Sequence, residues 1–230
     1  IAGTARFNGF SYAYRYTPGV GYTFLPVPGA DWSHGSAIND RGTVVGLTDS
    51  QNGNAPALWA VGQAGIHLPT LQSPGYNTAN DINNGGYVAG QLAVASPTHA
   101  TITAPNNAIT DLHLLFPQEA VVSRAYGIND CRHTVGYYFT ADSRFVPFIY
   151  RSGQMEHPAL PENTYGCELW NINENDWSVG TIHLRGTSDT KAGFYFPEGG
   201  LHDLNTLIPQ GQGWVLESAS DLNDHGWIVG

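Results

Sequence analysis

Five aromatic residues are the first candidates for binding chemistry, because each lies in a polar segment between two copies of an internal repeat. They are Trp32, Tyr76, Phe116, Tyr165 and Trp214. Aromatic rings on a polar, uncharged surface can stack on the C–H face of a sugar, while neighbouring amide and carboxylate groups bind its hydroxyls. The alternative is that these large rings pack between neighbouring structural units.

Acidic side chains in the same segments could instead perform hydrolysis. A glycoside hydrolase needs carboxylates that meet at separations of about 5 to 9.5 Å. The candidates lie in segments between predicted strands and are Asp31, Asp49, Asp142, Glu162, Asp189 and Glu217. A polysaccharide lyase would use a Tyr or His base and an Arg that neutralises a uronate, for which Tyr138, His183, Arg144 and Arg185 are available. The sequence does not show either set to converge.

An internal repeat determines where these residues lie. Five segments contain an Asn that is followed seven residues later by Gly, and consecutive Asn residues are separated by 44, 46, 44 and 50 positions. So regular a period indicates a repeat architecture. The repeated Asn residues are Asn39, Asn83, Asn129, Asn173 and Asn223, and the repeated Gly residues are Gly46, Gly90, Gly136, Gly180 and Gly230.

Each copy is typical of four short antiparallel strands, named A to D in chain order. Strand A ends at Ile-Asn, an Asp-X-Gly turn forms the A–B hairpin, and Val-Val-Gly begins strand B. An apolar and aromatic run forms strand C, and a short segment such as Ile66-His67-Leu68 forms strand D. About 45 residues with four strands is the size of one propeller blade. Arg132 and Asp176 replace the turn glycine in the third and fourth copies, where we expect a different turn.

The two ends of the chain are predicted to share one blade. Residues 10–25 supply its strands C and D, and residues 218–230 supply its strands A and B, so that each strand type occurs five times. We therefore predict one domain over residues 1–230: an all-β, five-bladed β-propeller with four antiparallel strands per blade, closed by pairing N- and C-terminal strands. An open solenoid cut from a longer array is the alternative.

The five repeated Asn residues are predicted to be structural. Because the same amide occurs in every copy, its simplest role is to bond the backbone of the A–B turn. A ring of ligand groups, or a cation held in the axial channel, is the functional alternative.

Composition argues against several classes of protein. Charged residues make up 12% of the chain, and 9 Lys and Arg against 19 Asp and Glu give a net charge of −10, which disfavours nucleic acid and anionic membranes as partners. No apolar run is long enough for a membrane span. Motifs for metal, cofactor or nucleophile sites are missing, so no metal and no cofactor is predicted. Cys131 and Cys167 are predicted to lie too far apart for a disulfide, which leaves two free thiols.

The pattern Ala-X-X-Ile-Asn-X-X-Gly-X-Val-Val-Gly resembles the HAF family of bacterial extracellular repeats, over nearly the whole chain. This resemblance implies export and a β-repeat fold. It implies no reaction and no catalytic residue.

Together, these features favour a secreted or cell-surface, lectin-like binding module that catalyses no reaction. Its partner would be a glycan or another extracellular ligand. The candidate ligand-binding residues are Trp32, Tyr76, Tyr165, Trp214, Asp31 and Glu217. Two alternatives stay open. One is a carbohydrate-active enzyme with a carboxylate cluster near the propeller axis, and the other is a self-associating unit of an extracellular filament.

Overall fold

The protein is all-β. The computed structural model describes residues 1–51, 53–72, 74–94, 97–209, 211 and 213–230, in which 21 strands and two short 3₁₀ helices occur. Asn52, Ser73, Ala95, Ser96, Gln210 and Gln212 fall in loops that the sequence predicts to be variable and lie outside the described residues. Among the described residues, no helix has the length and hydropathy needed to cross a membrane.

The strands divide between two compact units, Ile1–Leu114 and Leu115–Gly230. Those of the first unit are Ala2–Phe7 (β1), Phe10–Thr17 (β2), Gly21–Phe24 (β3), Ser33–Ile38 (β4), Val44–Ser50 (β5), Gly53–Trp59 (β6), Ile66–His67 (β7), Thr78–Ile82 (β8), Val88–Ala93 (β9), Thr98–Thr103 (β10) and Ile109–Asp111 (β11). Those of the second are Ala120–Ile128 (β12), Thr134–Thr140 (β13), Phe145–Arg151 (β14), Gln154–Glu156 (β15), Thr164–Ile172 (β16), Ser178–Leu184 (β17), Thr190–Phe196 (β18), Gly200–Asp203 (β19), Asp221–Leu222 (β20) and Ile228–Val229 (β21). The 3₁₀ helices are Leu112–Leu115 and Leu204–Thr206.

Four of the repeats form four-stranded antiparallel sheets, as predicted. Their strands follow chain order from A to D: β4 to β7, β8 to β11, β12 to β15 and β16 to β19. Within each unit, neighbouring sheets pack through small and aliphatic side chains. Val45, Ala79 and Val88 share one such core in the first unit, and Val135 and Leu169 share another in the second.

The ends of the chain differ from the prediction. β1 pairs with β2 and places Gly3 opposite Tyr14, just as β5 places Gly46 opposite Ala57. β1 therefore takes the strand B position that the sequence assigns to residues 228–230, and B strands occur six times rather than five. The reason is the Asn8-Gly9 pair, whose φ angles of 49° and 86° suit a tight hairpin. β20 and β21 form a two-stranded sheet of their own.

A β-bulge interrupts strand A of every four-stranded sheet, three residues before the repeated Asn. The extra residues are Ser36, Asn80, Tyr126 and Trp170. The repeated Gly lies across from the bulge, where the backbone of strand A comes so close that a Cβ on Gly136 would collide with the carbonyl oxygen of Arg124. The other four repeated Gly residues face an equivalent carbonyl. The bulge thus explains why the repeat requires glycine at this position.

The repeated Asn side chain holds its own turn and reaches the next sheet. Asn173 Oδ1 accepts hydrogen bonds from the backbone N–H groups of Asn175 and Trp177, both at 3.0 Å. Its Nδ2 donates to the carbonyl oxygen of Asn223 at 3.0 Å. Matching inter-sheet bonds run from Asn39 to Asn83 and from Asn129 to Asn173. The amide therefore ties consecutive hairpins together in addition to closing its turn.

The prediction of a different turn in the third and fourth copies is wrong. Arg132 and Asp176 have φ angles of 64° and 61°, close to the 76° of Gly42. Each donates its N–H to the carbonyl of the repeated Asn, as Gly42 does. A side chain in this left-handed region costs about 1–2 kcal/mol. The repeated Asn fixes the turn through further hydrogen bonds, so the same turn forms without glycine.

Candidate functional site

Asp31 and Trp32 precede β4, and both are hydrogen-bonded to the carboxylate of Asp49. Their backbone N–H groups each donate to Asp49 Oδ1 at 2.9 Å. Burial opposes ionisation of Asp49, but the N–H groups of Trp32 and Asp31 more than offset it and lower the pKa of this carboxyl. The Asp31 side chain is exposed and the Trp32 ring is half-buried. These contacts hold the connection before β4 in place.

The other predicted ligand-binding residues lie apart from one another along the chain. Tyr76 is 54% exposed and Trp214 is 75% exposed, each in its own connection, and Glu217 is exposed as well. Tyr165 was expected in a connection but lies inside β16, where its ring is 5.7 Å from that of His183. Cys167, also expected before strand A, is buried in β16, and Cys131 is exposed in an A–B turn; both are free thiols.

A cluster of polar and aromatic side chains forms in the second unit around Arg124. Arg124 and Tyr137 lie directly opposite on β12 and β13, so their side chains share one face of the sheet. Arg124 Nη1 donates to Tyr137 Oη at 3.0 Å, and the guanidinium carbon is 5.9 Å from the centre of the Tyr137 ring. The bulge in β12 adds Tyr126, whose ring stacks 5.8 Å from that of Tyr137.

The bulge in β16 contributes Trp170 to the same cluster. Its indole ring meets Tyr126 edge to face at 4.6 Å and lies 6.1 Å from Tyr137. Trp170 Nε1 donates to Thr181 Oγ1 at 3.0 Å, and this bond fixes the indole against β17. Two equivalent bulges in neighbouring sheets therefore bring two aromatic rings together.

A histidine–carboxylate pair lies on the same two strands, β16 and β17. His183 Nε2 is 3.0 Å from Glu168 Oε2, and both side chains are mostly buried. The imidazole stacks on the ring of Phe145 at 4.6 Å, with Tyr165 beside it. Strand pairing sets this geometry, because His183 is opposite Gly166 and Glu168 is opposite Thr181.

A cavity of about 210 Å³ opens beside the cluster. Its lining residues are Val122, Arg124, Tyr137, Phe139 and Phe145. Four of these five side chains carry aliphatic or aromatic groups, and Arg124 supplies the only charge among them.

Arg124 bears a partly buried charge that is only partly compensated. Its Nε is buried and has no hydrogen-bond partner, and no Asp or Glu of the described chain lies within ion-pair distance of its guanidinium. Burial opposes the charge, yet the adjacent hydroxyl groups of Tyr137 and Tyr126 raise the pKa of Arg124. Burial, followed by Tyr126, raises the pKa of Tyr137 far above its ordinary value, so that this phenol stays neutral.

Arg124, Tyr126, Glu168 and Trp170 are not among the site residues that the sequence analysis predicts. For Tyr126 and Trp170, a signal does exist at the position three residues before the repeated Asn, which is Ser36, Asn80, Tyr126, Trp170 and Ser220 in successive copies. It is aromatic in two consecutive copies only. Among the described residues, no group of three or more His, Cys, Asp or Glu side chains could hold a metal ion.

Comparison with known proteins supports the architecture. A crystal structure of TolB from Acinetobacter baumannii matches with a TM-score of 0.59 and 9% identity, over 88% of this chain and 52% of that chain. The fold is propeller-like. This chain spans about half the length of the TolB chain, and at such low identity the likeness concerns the fold alone. A putative gluconolactonase matches with a TM-score of 0.47 and 10% identity, over 92% of this chain and 72% of that chain. No family model and no curated protein sequence matches.

Proposed function

We propose that this protein is a non-catalytic glycan-binding module, and that the cavity beside Arg124 binds an acidic sugar. The observation that carries this proposal is Arg124, which lines the cavity, has a buried Nε without an acceptor, and has no Asp or Glu of the described chain within ion-pair distance. An unpaired, partly buried cation favours an anionic ligand, and the flat guanidinium suits the carboxylate of a uronate.

The surrounding rings support a sugar over a small inorganic anion. Phe139 and Phe145 line the cavity, and Tyr126 and Trp170 extend the aromatic surface next to it. Aromatic faces bind the C–H groups of a sugar ring, while the Tyr137 hydroxyl can hydrogen-bond to its oxygens. A cavity of 210 Å³ has room for about one sugar ring, so neighbouring rings would bind outside it.

The protonation state of Tyr137 favours a sugar-binding role over the β-elimination reaction of a polysaccharide lyase. A lyase that uses a tyrosine base needs a phenol that can lose its proton near neutral pH. The pKa of Tyr137 is raised by burial and by Tyr126, although Arg124 opposes that shift. A neutral Tyr137 can donate and accept hydrogen bonds, but it cannot serve as that base.

Isothermal titration with trigalacturonate tests the proposal, and neutral galactotriose is the comparison ligand. We expect trigalacturonate to bind more tightly, and Arg124→Met to weaken its binding by at least about tenfold, since hydrogen bonds to charged groups contribute about 1.5–3 kcal/mol. Arg6→Met is the control, because Arg6 is exposed and does not line this cavity. Equal affinity of the wild type and Arg124→Met for trigalacturonate would exclude this site.

An enzyme is the second candidate function, and the Glu168–His183 pair at 3.0 Å favours it. A mostly buried carboxylate that orients an imidazole is a common arrangement for general acid–base catalysis. Incubation with polygalacturonate, followed by assays for reducing ends and unsaturated uronates, would detect this activity. Product formation that is abolished by Glu168→Gln would replace the binding module with a carbohydrate-active enzyme.

We also propose, from the sequence pattern, that the protein is an extracellular member of the HAF-type repeats and that its repeats close into a five-bladed ring. The strand content of the two ends supports closure. The sheet of β1 to β3 lacks an A strand, and the sheet of β20 and β21 has an A strand but lacks C and D strands. Fluorescence energy transfer between dyes at residues 2 and 220 would be strong in a closed ring and weak in an open array.

A further inference from the structure

A second cavity, in the first unit, has no role in the proposed glycan site. It has a volume of about 370 Å³ and lies where the sheet of β1 to β3 meets the sheet of β4 to β7. Leu25, Pro26, Pro28 and Trp59 form its apolar walls, and Arg15 and Gln63 supply polar groups. This size and this mixture are typical of small-molecule sites.

Arg15 departs from the repeat at a position that is otherwise apolar. In each sheet, the strand B residue just before the repeated Gly pairs with a residue of strand C. In the sheet of β1 to β3, Gly3 holds the position of the repeated Gly, so this pair is Ala2 and Arg15. The equivalent residues in the other sheets are Leu58, Ile102, Ile149 and Phe194. Four of the five copies therefore place an apolar side chain where this one places a guanidinium.

The surroundings of Arg15 leave its charge without a counter-ion. Its Nη1 donates to the carbonyl oxygen of Gly42 at 2.9 Å, which orients the side chain but leaves its net charge unchanged. No Asp or Glu of the described chain lies within ion-pair distance, and no acidic residue lines the cavity. The lining of this cavity therefore has one positive and no negative side chain, which favours an anionic group locally although the chain as a whole has a net charge of −10.

The apolar walls of the cavity indicate the chemistry of the part of the ligand that does not contact Arg15. Trp59 is fully buried, and its Nε1 donates to the carbonyl oxygen of Pro26 at 3.2 Å, which fixes the indole as a rigid wall. Two proline rings and Leu25 add further apolar surface. Such walls bind an aromatic or aliphatic body by burial and offer few hydrogen bonds to a sugar.

From this combination we infer that the cavity at Arg15 is a binding site for a small apolar or aromatic carboxylate. The carboxylate would pair with the guanidinium, and the apolar body would lie against Trp59 and the prolines. The ligand class and the unit both differ from those of the glycan site, so either proposal can fail while the other stands.

Binding of 2-naphthoate, compared with the uncharged 2-naphthamide, tests this inference. We expect 2-naphthoate to bind and to shift the NMR signal of the Trp59 indole N–H. Arg15→Met should weaken 2-naphthoate by about tenfold and leave the weaker binding of 2-naphthamide nearly unchanged. Because methionine resembles the apolar residues of the other repeats, this variant should keep the fold.

Two further variants make the result decisive. Arg6→Met is the matched control, since Arg6 is exposed on the neighbouring strand and does not line the cavity. Ala64→Trp fills the cavity from its exposed rim and should abolish binding of both probes. The inference is overturned if Arg15→Met binds 2-naphthoate as tightly as the wild type, or if Ala64→Trp leaves binding intact.

Discussion

Gly136→Ala tests whether the bulge geometry both requires the repeated glycine and positions the side chains of the proposed glycan site. An added Cβ would collide with the Arg124 carbonyl oxygen and would lie 3.0 Å from the Phe148 ring. A backbone carbonyl cannot rotate away as a side chain can. β12 must therefore move, and the side chains of Arg124 and Tyr126 move with it.

The expected loss of stability follows from this collision. Overpacking by a methyl group in a well-packed interior costs about 1–3 kcal/mol. A shift of β12 that breaks one backbone hydrogen bond to β13 adds about 1 kcal/mol. We therefore expect Gly136→Ala to lower the free energy of unfolding by about 2–4 kcal/mol. This corresponds to a decrease in Tm on the order of 10 °C.

Urea unfolding and titration with trigalacturonate measure the two effects separately. Gly90→Ala is the matched control, because its Cβ would meet the Thr78 carbonyl in the same way but in the first unit. Both variants should lose similar stability, and only Gly136→Ala should also lose affinity for the uronate. A change in unfolding free energy within about 0.5 kcal/mol for both variants would show that the bulge accepts a side chain and that our explanation of the repeat is wrong.

Three further predictions concern single side chains. Asp49 has a pKa below its ordinary value of 3.8, so its carboxylate stabilises the fold above that pH and loses this contribution as the pH falls through the folded-state pKa. Asp49→Asn should therefore lower Tm at neutral pH and have less effect in acid, which thermal unfolding at several pH values would check. Asp176→Gly relieves a φ of 61° but removes a hydrogen bond from Asn129 at 2.8 Å, the 2.7 Å contact with His133 Nδ1 and the 3.6 Å ion pair with Arg151. Because these three losses outweigh the relief, we expect a net loss of about 1–2 kcal/mol in urea, and a gain would contradict the role of this carboxylate. An alkylating reagent should modify exposed Cys131 and spare Cys167, whose burial raises the thiol pKa, so mass spectrometry should find one adduct in the folded protein and two after unfolding.

The repeat could be predicted because its signals are local. The interval from Asn to Gly contains the A–B turn, and the apolar runs that follow match strands such as Phe10–Thr17 and Thr190–Phe196. Strand A is less visible, since small or polar residues occur at irregular positions in it, as in Ser33–Ile38 and Thr164–Ile172, and pairing with strand B holds it in place. For this reason Tyr165 and Cys167 were assigned to a connection although they lie in β16.

The candidate site could not be located by the same means. A bulge inserts one unpaired residue and breaks the two-residue alternation on which sequence-based assignment of strand faces depends. The positions of Tyr126 and Trp170 depend on such bulges, and Arg124 faces Tyr137 only because the pairing register changes just beyond it. Trp32, Tyr76 and Trp214, which the sequence favours, lie in connections, where variation is common but where a regular scaffold does not fix the side chain.

The bulge position also explains how one scaffold can carry different chemistry in different repeats. The repeated Asn and Gly are needed in every copy, because they tie the hairpins together and admit the close approach of strand A. The bulged residue has no partner in strand B, so its identity is free of the constraints of strand pairing. Ser36 and Asn80 fill this position with small polar groups in the first unit, whereas Tyr126 and Trp170 fill it with large rings in the second. The same backbone feature therefore presents small polar side chains in one unit and large aromatic side chains in the other.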